Sequence, residues 1–105
     1  MDYFCSDLHF GHKGINRFRN TVASEEDNRE LIKLNWKSLV TKRDIVYVLG
    51  DAAFDLETVK DFGDLPGRKF LVRGNHDKLN TSVYLKYFYE VYGILKYKEF
   101  CQCFV

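Results

Sequence analysis

The chain has little of several features that mark specialised classes of protein. Its 105 residues include one proline, three cysteines and three histidines, and its longest aliphatic or aromatic run is the five residues from Ile45 to Leu49. A membrane-spanning helix needs about 20 apolar residues, so no membrane protein is expected. Sixteen basic and fifteen acidic residues give a net charge of +1, which excludes binding to nucleic acid by charge alone. No basic region followed by an apolar run opens the chain, so no secretory signal is expected.

The cysteines indicate a reduced, cytoplasmic setting, because their odd number and their spacing build no disulfide framework. Cys101 and Cys103 have the spacing of a thiolate metal pair, but no second pair or nearby histidine completes such a site. We interpret these two cysteines as small buried strand residues. Apolar residues make up 46% of the chain and charged residues 30%, which with this length predicts one globular domain over residues 1–105.

Three apolar runs alternate with helical patterns. The runs are Tyr3–Cys5, Asp44–Leu49 and Lys69–Arg73. Strands that alternate with helices indicate βαβ units, so the sequence predicts an α/β fold with a parallel βαβαβ sheet. The second run is apolar without interruption, which is typical of a strand covered on both faces.

Capping residues mark two helices between these runs. Ser24, followed three residues later by Asp27, predicts the start of a first helix, whose apolar stripe is formed by Ile32, Trp36, Leu39 and Val40. Asp55 predicts the start of a short second helix that ends at Gly63 and buries Leu56, Val59 and Phe62. Pro66-Gly67 then predicts a turn before the third run.

The pattern after Gly74 is weaker. Thr81 or Ser82 is a possible cap for a helix, and residues 91–98 and 101–105 are candidate strands. Half of the sixteen tyrosines and phenylalanines fall between Tyr84 and Phe104. Such aromatics serve either as packing residues or, with the lysines among them, as a surface that stacks on nucleic-acid bases.

Polar residues follow each of the three apolar runs at the point where the run ends. Because the carboxyl ends of parallel strands lie along one edge of a sheet, we expect these residues to converge: Asp7, His9, Asp51, Asn75 and His76. Carboxylate, imidazole and amide donors without thiolate suit Mn, Fe, Zn or Mg. The sequence therefore predicts a divalent metal site at this edge.

Each of these residues also has a plain structural interpretation. Aspartates cap strands and helices, and asparagine and histidine are common in loops. His12 either reaches the edge of the site or packs within its loop. The arginines near the site offer forks for a phosphate, or are solvated charges: Arg17, Arg19 and Arg73.

The three clusters together resemble the first three signatures of the calcineurin-like metallophosphoesterase superfamily. The matching stretches are Asp7-x-His9, Gly50-Asp51 and Gly74-Asn75-His76-Asp77. The longer segments 6–12 and 46–51 are similar to small bacterial and phage members. The resemblance implies a fold of two facing sheets flanked by helices. This chain would then be a truncated member that has only the parallel βαβαβ half of that fold.

The resemblance also implies a role for each residue. Asp7 and His9 would bind a first metal ion, Asp51 would bridge two ions, and Asn75 would bind the second. His76 would face the phosphate as a general acid or charge stabiliser, and Asp77 would orient His76. The implied activity is hydrolysis of a phosphomonoester, a phosphodiester or a nucleotide by metal-bound hydroxide.

The chain departs from the family pattern downstream of Asp77. The family continues with a further histidine and then Gly-His-x-His, and neither is present here. We therefore expect impaired activity and one uncovered apolar sheet face that favours self-association. The alternatives are a non-catalytic remnant with the same half-fold and a binding module, including one for nucleic acid.

Overall fold

The computed structural model describes residues 1–15, 23–74, 77–97 and 101–104. Its main feature is a four-stranded sheet in the order β1-β2-β3-β4, in which every neighbouring pair is parallel. A separate antiparallel pair, β5-β6, follows. The strands are β1 (Asp2–Cys5), β2 (Ile45–Leu49), β3 (Arg68–Val72), β4 (Glu90–Tyr92), β5 (Ile94–Tyr97) and β6 (Cys101–Phe104). The predicted α/β fold with a parallel sheet is confirmed.

Helix α1 (Glu25–Leu39) links β1 to β2 and begins where the sequence predicts. The Oγ of Ser24 accepts a hydrogen bond from the backbone N–H of Asp27 at 3.1 Å, which satisfies one of the free donors at the helix start. Trp36 and Val40 are buried as predicted, and Ile32 packs against the core. The prediction is wrong for Leu39, which is 60% exposed because the apolar stripe runs past the edge of the core at the last residue of the helix.

The connection between β2 and β3 is a short helix α2 (Leu56–Val59) continued by a 3₁₀-helix (Lys60–Asp64). The carboxylate of Asp55 caps α2 by accepting from the backbone N–H of Thr58 at 2.8 Å. Val59 and Phe62 are buried as predicted, but Leu56 is 56% exposed because the first residue of α2 lies outside the packed face. Gly67 has a φ of 94°, as the predicted turn requires.

The apolar core lies between one face of the parallel sheet and the helices. Sheet residues Val46, Val48 and Leu71 are at most 2% exposed there. The large rings that pack with them are Phe10, Trp36, Phe62, Tyr84 and Phe88. The burial of Tyr84 and Phe88 confirms core packing for these two aromatics of the carboxyl-terminal part.

The opposite face of the sheet carries a row of aromatic rings. Phe4 stacks on Tyr47 with ring centres 5.0 Å apart, and Tyr47 stacks on Phe70 at 5.3 Å. The row ends at Tyr92, whose ring centre is 6.3 Å from that of Phe70. Strand β2 buries alternate residues and leaves the others half-buried, so the prediction that both of its faces are fully covered is wrong for the part of the chain that the structure describes. An uninterrupted apolar run also suits a strand that presents aromatic rings on an open face.

The segment after β3 is more divided than predicted. A short helix α3 (Thr81–Tyr84) is present, with Asn80 at its capping position. The strand predicted over residues 91–98 is two strands, β4 and β5, with Gly93 between them. Within the described residues, no helix is both long enough and apolar enough to span a bilayer.

Candidate metal centre

The loops that follow β1 and β2 run side by side at the carboxyl edge of the sheet. The backbone N–H of Asp7 donates to the carbonyl of Gly50 at 3.2 Å, and that of His9 donates to the carbonyl of Asp51 at 2.9 Å. These bonds extend the parallel pairing of β1 and β2 beyond the strands themselves. Asp7, His9 and Asp51 are thereby brought to one place although they are far apart in the sequence.

The three side chains form a compact group of donor atoms. One ligand atom from each of Asp7, His9 and Asp51 lies within 4.8 Å of the other two. The Nε2 of His9 is 3.9 Å from the Oδ1 of Asp7 and 3.8 Å from the Oδ2 of Asp51. The side chains of His9 and Asp51 are 17% and 18% exposed, whereas that of Asp7 is 63% exposed. The site is therefore open on the Asp7 side.

Each of these three residues has a left-handed backbone conformation. The φ angles are 55° at Asp7, 57° at His9 and 50° at Asp51. Residues other than glycine adopt this region at a cost of about 1–2 kcal/mol each, because Cβ crowds the following carbonyl oxygen. Such strain is concentrated at functional sites, where the surrounding structure imposes it. The hydrogen bonds between the two loops hold Asp7 and His9 in this conformation.

Glycines allow the loops after β2 and β3 to approach closely. A Cβ atom on Gly74 would lie 2.5 Å from both the backbone nitrogen and the Oδ1 of Asp51, and 2.9 Å from the Cα of Gly50. Gly50 itself has a φ of 89°, which favours glycine. The Gly50-Asp51 and Gly74 positions singled out in the sequence are thus in contact.

Asp77 is buried behind this edge and binds backbone N–H groups of both loops. Its Oδ1 accepts from Ala52 at 2.9 Å and from Ala53 at 3.4 Å, and its Oδ2 accepts from Gly74 at 2.8 Å. Burial raises the pKa of the Asp77 carboxyl, and the backbone N–H groups oppose that rise. The carboxylate therefore ties the loop after β3 to the loop after β2.

The structure describes only one of the remaining predicted site residues, Arg73. Asn75, His76, Arg17 and Arg19 lie outside the described residues, so their predicted roles stay predictions. Arg73 is described, and its guanidinium donates to the carbonyl oxygens of Asp77 and Leu79 and to the hydroxyl of Thr81. Arg73 thus stabilises the loop that follows β3.

Two rings lie beside His9. The sequence did not single out Phe54, and it left open whether His12 reaches the edge of the site or packs within its loop. The Nδ1 of His12 lies 3.0 Å from the Nδ1 of His9, and the ring of Phe54 lies 5.1 Å from that of His12 and 5.3 Å from that of His9. The contact with His9 shows that His12 reaches the edge of the site, and its ring also packs on Phe54. The imidazole of His9 is therefore held between the carboxylates and a second imidazole.

The donor set fits a divalent cation. Two carboxylates and an imidazole offer oxygen and nitrogen ligands, and a cation between them would offset the repulsion of two neighbouring negative charges. The burial of His9 and Asp51 reduces the competition of water for such an ion. This chemistry suits Mn, Fe, Zn or Mg and does not select among them.

Comparisons with known proteins identify relatives that share most of the chain. The chain is 38% identical over 80 residues to the Gene 66 protein of Mycobacterium phage L5. The alignment covers 71% of this chain and 39% of that protein. It is 40% identical over 86 residues to the uncharacterized protein MJ1445 of Methanocaldococcus jannaschii, covering 76% of this chain and 48% of that protein. The chain thus spans less than half the length of these relatives.

A solved structure and a family model match over more of the chain. The crystal structure of a protein of unknown function, AQ665 from Aquifex aeolicus, superposes with a TM-score of 0.77 at 34% identity, covering 93% of this chain and 55% of that one. The parallel sheet is accordingly consistent with half of a metallophosphoesterase domain. The family model described as calcineurin-like phosphoesterase matches residues 3–105. The chain therefore belongs to the calcineurin-like phosphoesterase family.

Proposed function

We propose that this chain binds divalent metal and supports the hydrolysis of phosphoesters. The observation that carries the proposal is the convergence of Asp7, His9 and Asp51, with one ligand atom from each within 4.8 Å of the others. The group lies at the carboxyl edge of a parallel sheet, where ligands of open α/β sheets bind. Family membership supports the same reaction class.

The described residues would bind the cation and give the site its negative charge. Asp7 and Asp51 supply the negative charge that attracts a cation, and His9 supplies a neutral nitrogen donor. When bound, a divalent cation polarises a phosphoryl oxygen and lowers the pKa of water. The left-handed backbones of the three residues preorganise these donors, so little rearrangement is needed when a cation enters.

The remaining roles are proposed from the resemblance. Asp51 would bridge to a second ion held by the side-chain oxygen of Asn75, and His76 would stabilise charge on the leaving oxygen or protonate it. Asp77 would orient His76. Its bonds to the N–H groups of Ala52 and Gly74 support a role in fixing the loop that carries Asn75 and His76.

We expect the 105-residue chain to act weakly on its own. The sequence has no histidines beyond His76, so the further histidine ligands of the family pattern are not supplied by these residues. We propose that it binds one ion weakly and hydrolyses a phosphomonoester, a phosphodiester or a nucleotide slowly.

The test combines metal binding with turnover. Binding of Mn²⁺ to the purified chain is measured by calorimetry, and hydrolysis is measured with p-nitrophenyl phosphate and bis(p-nitrophenyl) phosphate. Asp51→Asn should abolish both signals. Asp64→Asn, at an exposed position on the 3₁₀-helix, is the matched control and should leave both unchanged.

The possible outcomes separate the candidate functions. Slow metal-dependent turnover lost only in Asp51→Asn supports the phosphoesterase. Metal binding without turnover favours the non-catalytic remnant with the same half-fold. Absence of metal binding at millimolar Mn²⁺ overturns the metal centre, and fast turnover overturns the expectation of weak activity.

We also propose that isolated copies of the chain self-associate through the open face of the sheet. Phe4 is 45% exposed there, and it continues a stacked row with Tyr47 and Phe70. The chain spans less than half the length of the phage L5 and Methanocaldococcus jannaschii relatives. A second copy presents an aromatic row of the same kind.

A further inference from the structure

The imidazole of His9 has its two nitrogens in different environments. Its Nε2 faces the carboxylates of Asp7 and Asp51, at 3.9 Å and 3.8 Å. Its Nδ1 lies 3.0 Å from the Nδ1 of His12. A neutral imidazole carries one proton, so the nitrogen that is protonated decides whether the other can bind a cation.

A hydrogen bond between two Nδ1 atoms needs one donor and one acceptor. If the Nδ1 of His9 carries the proton, it donates to His12, and the lone pair of its Nε2 points between the carboxylates. His12 then carries its own proton on Nε2. If the protons are reversed, the Nε2 of His9 carries hydrogen and cannot bind a cation. The contact with His12 thus bears directly on whether His9 is a ligand.

We infer that His12 is a positioning residue for the metal centre, which accepts the Nδ1–H of His9 and so directs the Nε2 lone pair of His9 at the space between Asp7 and Asp51. The inference rests on the proposed metal-binding function. Histidines that bind metals almost always donate their other ring N–H to an acceptor, and that acceptor is usually a carboxylate, a carbonyl or water. Here a second imidazole takes that place.

The chain around His12 is built to hold this ring. The backbone N–H of His12 donates to the carbonyl of His9 at 3.0 Å, which closes a turn, and Gly11 inside that turn has a φ of 87°. The backbone N–H of Gly11 donates to the Oε2 of Glu25, at the start of helix α1. A Cβ on Gly11 would lie 2.7 Å from the Oδ2 of Asp55. The turn is therefore fixed by both neighbouring helices.

The ring of His12 is also oriented by packing. It stacks on Phe54 with an angle of 23° between the planes. Phe54 lies on the chain that leaves Asp51, and its backbone N–H donates to the carbonyl of Phe10 at 2.7 Å. The loops that carry His9 and Asp51 therefore also set the position of His12.

Two substitutions separate the hydrogen bond from the packing. His12→Phe keeps a ring that can stack on Phe54 but has no acceptor. His12→Asn loses the ring, but its Oδ1 can take the place of Nδ1 as the acceptor. Binding of Zn²⁺ is measured by competition with a chromogenic chelator, and urea unfolding without metal checks that each variant folds.

Loss of the acceptor should weaken Zn²⁺ binding by about 10- to 100-fold in His12→Phe, whereas His12→Asn should stay within about threefold of the unsubstituted chain. In the unsubstituted chain loaded with Zn²⁺, ¹⁵N NMR of the imidazole rings should find a proton on the Nδ1 of His9 and on the Nε2 of His12.

Equal Zn²⁺ affinity in His12→Phe and the unsubstituted chain overturns the role of His12 and leaves the metal centre intact. Equal losses of Zn²⁺ affinity in His12→Phe and His12→Asn also overturn this role, because the hydrogen-bond acceptor would then make no difference. The role of His12 is also overturned if ¹⁵N NMR of the Zn²⁺-loaded chain finds no proton on the Nδ1 of His9. If the unsubstituted chain does not bind Zn²⁺, the proposed metal centre and this inference fail together.

Discussion

A Cβ atom on Gly74 would lie 2.5 Å from the backbone nitrogen of Asp51. The two residues follow neighbouring parallel strands, β3 and β2, and the missing side chain of Gly74 allows their loops to meet. The same Cβ would lie 2.5 Å from the Oδ1 of Asp51, so the contact reaches the side chain proposed to bind metal. Gly74 therefore matters for the position of a ligand that it does not itself supply.

Gly74→Ala should displace Asp51. Because two of the three nearest atoms, the nitrogen of Asp51 and the Cα of Gly50, belong to backbone, the methyl group forces the two loops apart. Overpacking of this kind costs about 1–3 kcal/mol. We expect that loss in the free energy of unfolding in urea, together with weaker Mn²⁺ binding. Gly93→Ala is the matched control, since a Cβ there meets nothing within 4 Å. Similar effects of the two substitutions on Mn²⁺ affinity would contradict the prediction.

Strand periodicity and the positions of the polar clusters were enough to predict the sheet and the meeting of Asp7 with Asp51. The left-handed conformations of Asp7, His9 and Asp51 were not predictable, because nothing in these residue types demands them. They are imposed by hydrogen bonds between two loops distant in sequence.

The burial of single side chains was predicted less well. The spacing of Leu39 and Leu56 places them on apolar helix faces, but both lie at helix ends and are exposed. Periodicity gives the direction of a side chain and not the extent of the surface that covers it. Whether His12 reaches the site stayed open for a related reason, since its contact with His9 depends on the turn geometry at Gly11.

Replacing Asp77 should separate the loops after β2 and β3. Asp77→Asn keeps the size of the side chain but turns one acceptor oxygen into a donor, which then faces the N–H of either Ala52 or Gly74. A buried N–H left without an acceptor costs about 1–3 kcal/mol, so the free energy of unfolding should fall by that amount. Urea titration checks this, with exposed Asp64→Asn as the control. Equal stability of the two variants would argue against a tying role for Asp77.

The stability of the chain should depend on pH through Asp44. The backbone N–H of Thr41 donates to the Oδ2 of Asp44 at 2.8 Å and lowers the pKa of that carboxyl below its ordinary value of 3.8. A lowered pKa in the folded state means that the stabilisation is complete above the ordinary value and is lost as pH falls through the folded one.

The destabilisation caused by Asp44→Asn should therefore shrink on acidification. It is measured as the difference from the unsubstituted chain in the free energy of unfolding, in urea titrations from about pH 7 down to about pH 2. Asp64→Asn serves as the reference for effects of acid on the chain as a whole. A difference that stays constant, or grows with acidity, would contradict the lowered pKa of Asp44.

Self-association through the aromatic face should respond to a charge placed on that face. Phe4 lies in β1, at one edge of the parallel sheet, and its ring is 45% exposed beside Tyr47. Covering the exposed part of such a ring in a dimer would stabilise it by roughly 2 kcal/mol. A lysine there would lose that gain and place like charges opposite each other across a symmetric interface. Phe4→Lys should therefore raise the dissociation constant of the dimer by about tenfold or more.

Leu34→Lys is the matched control for this change. Leu34 is an apolar residue, 66% exposed on helix α1, and Lys substitution there adds the same charge away from the aromatic row. Light scattering over a range of concentrations should find association in the unsubstituted chain and in Leu34→Lys, and mainly monomer in Phe4→Lys. A monomer at all concentrations of the unsubstituted chain would rule out self-association. Equal dissociation of the dimer in Phe4→Lys and Leu34→Lys would mean that net charge governs self-association, and not the row formed by Phe4, Tyr47 and Phe70.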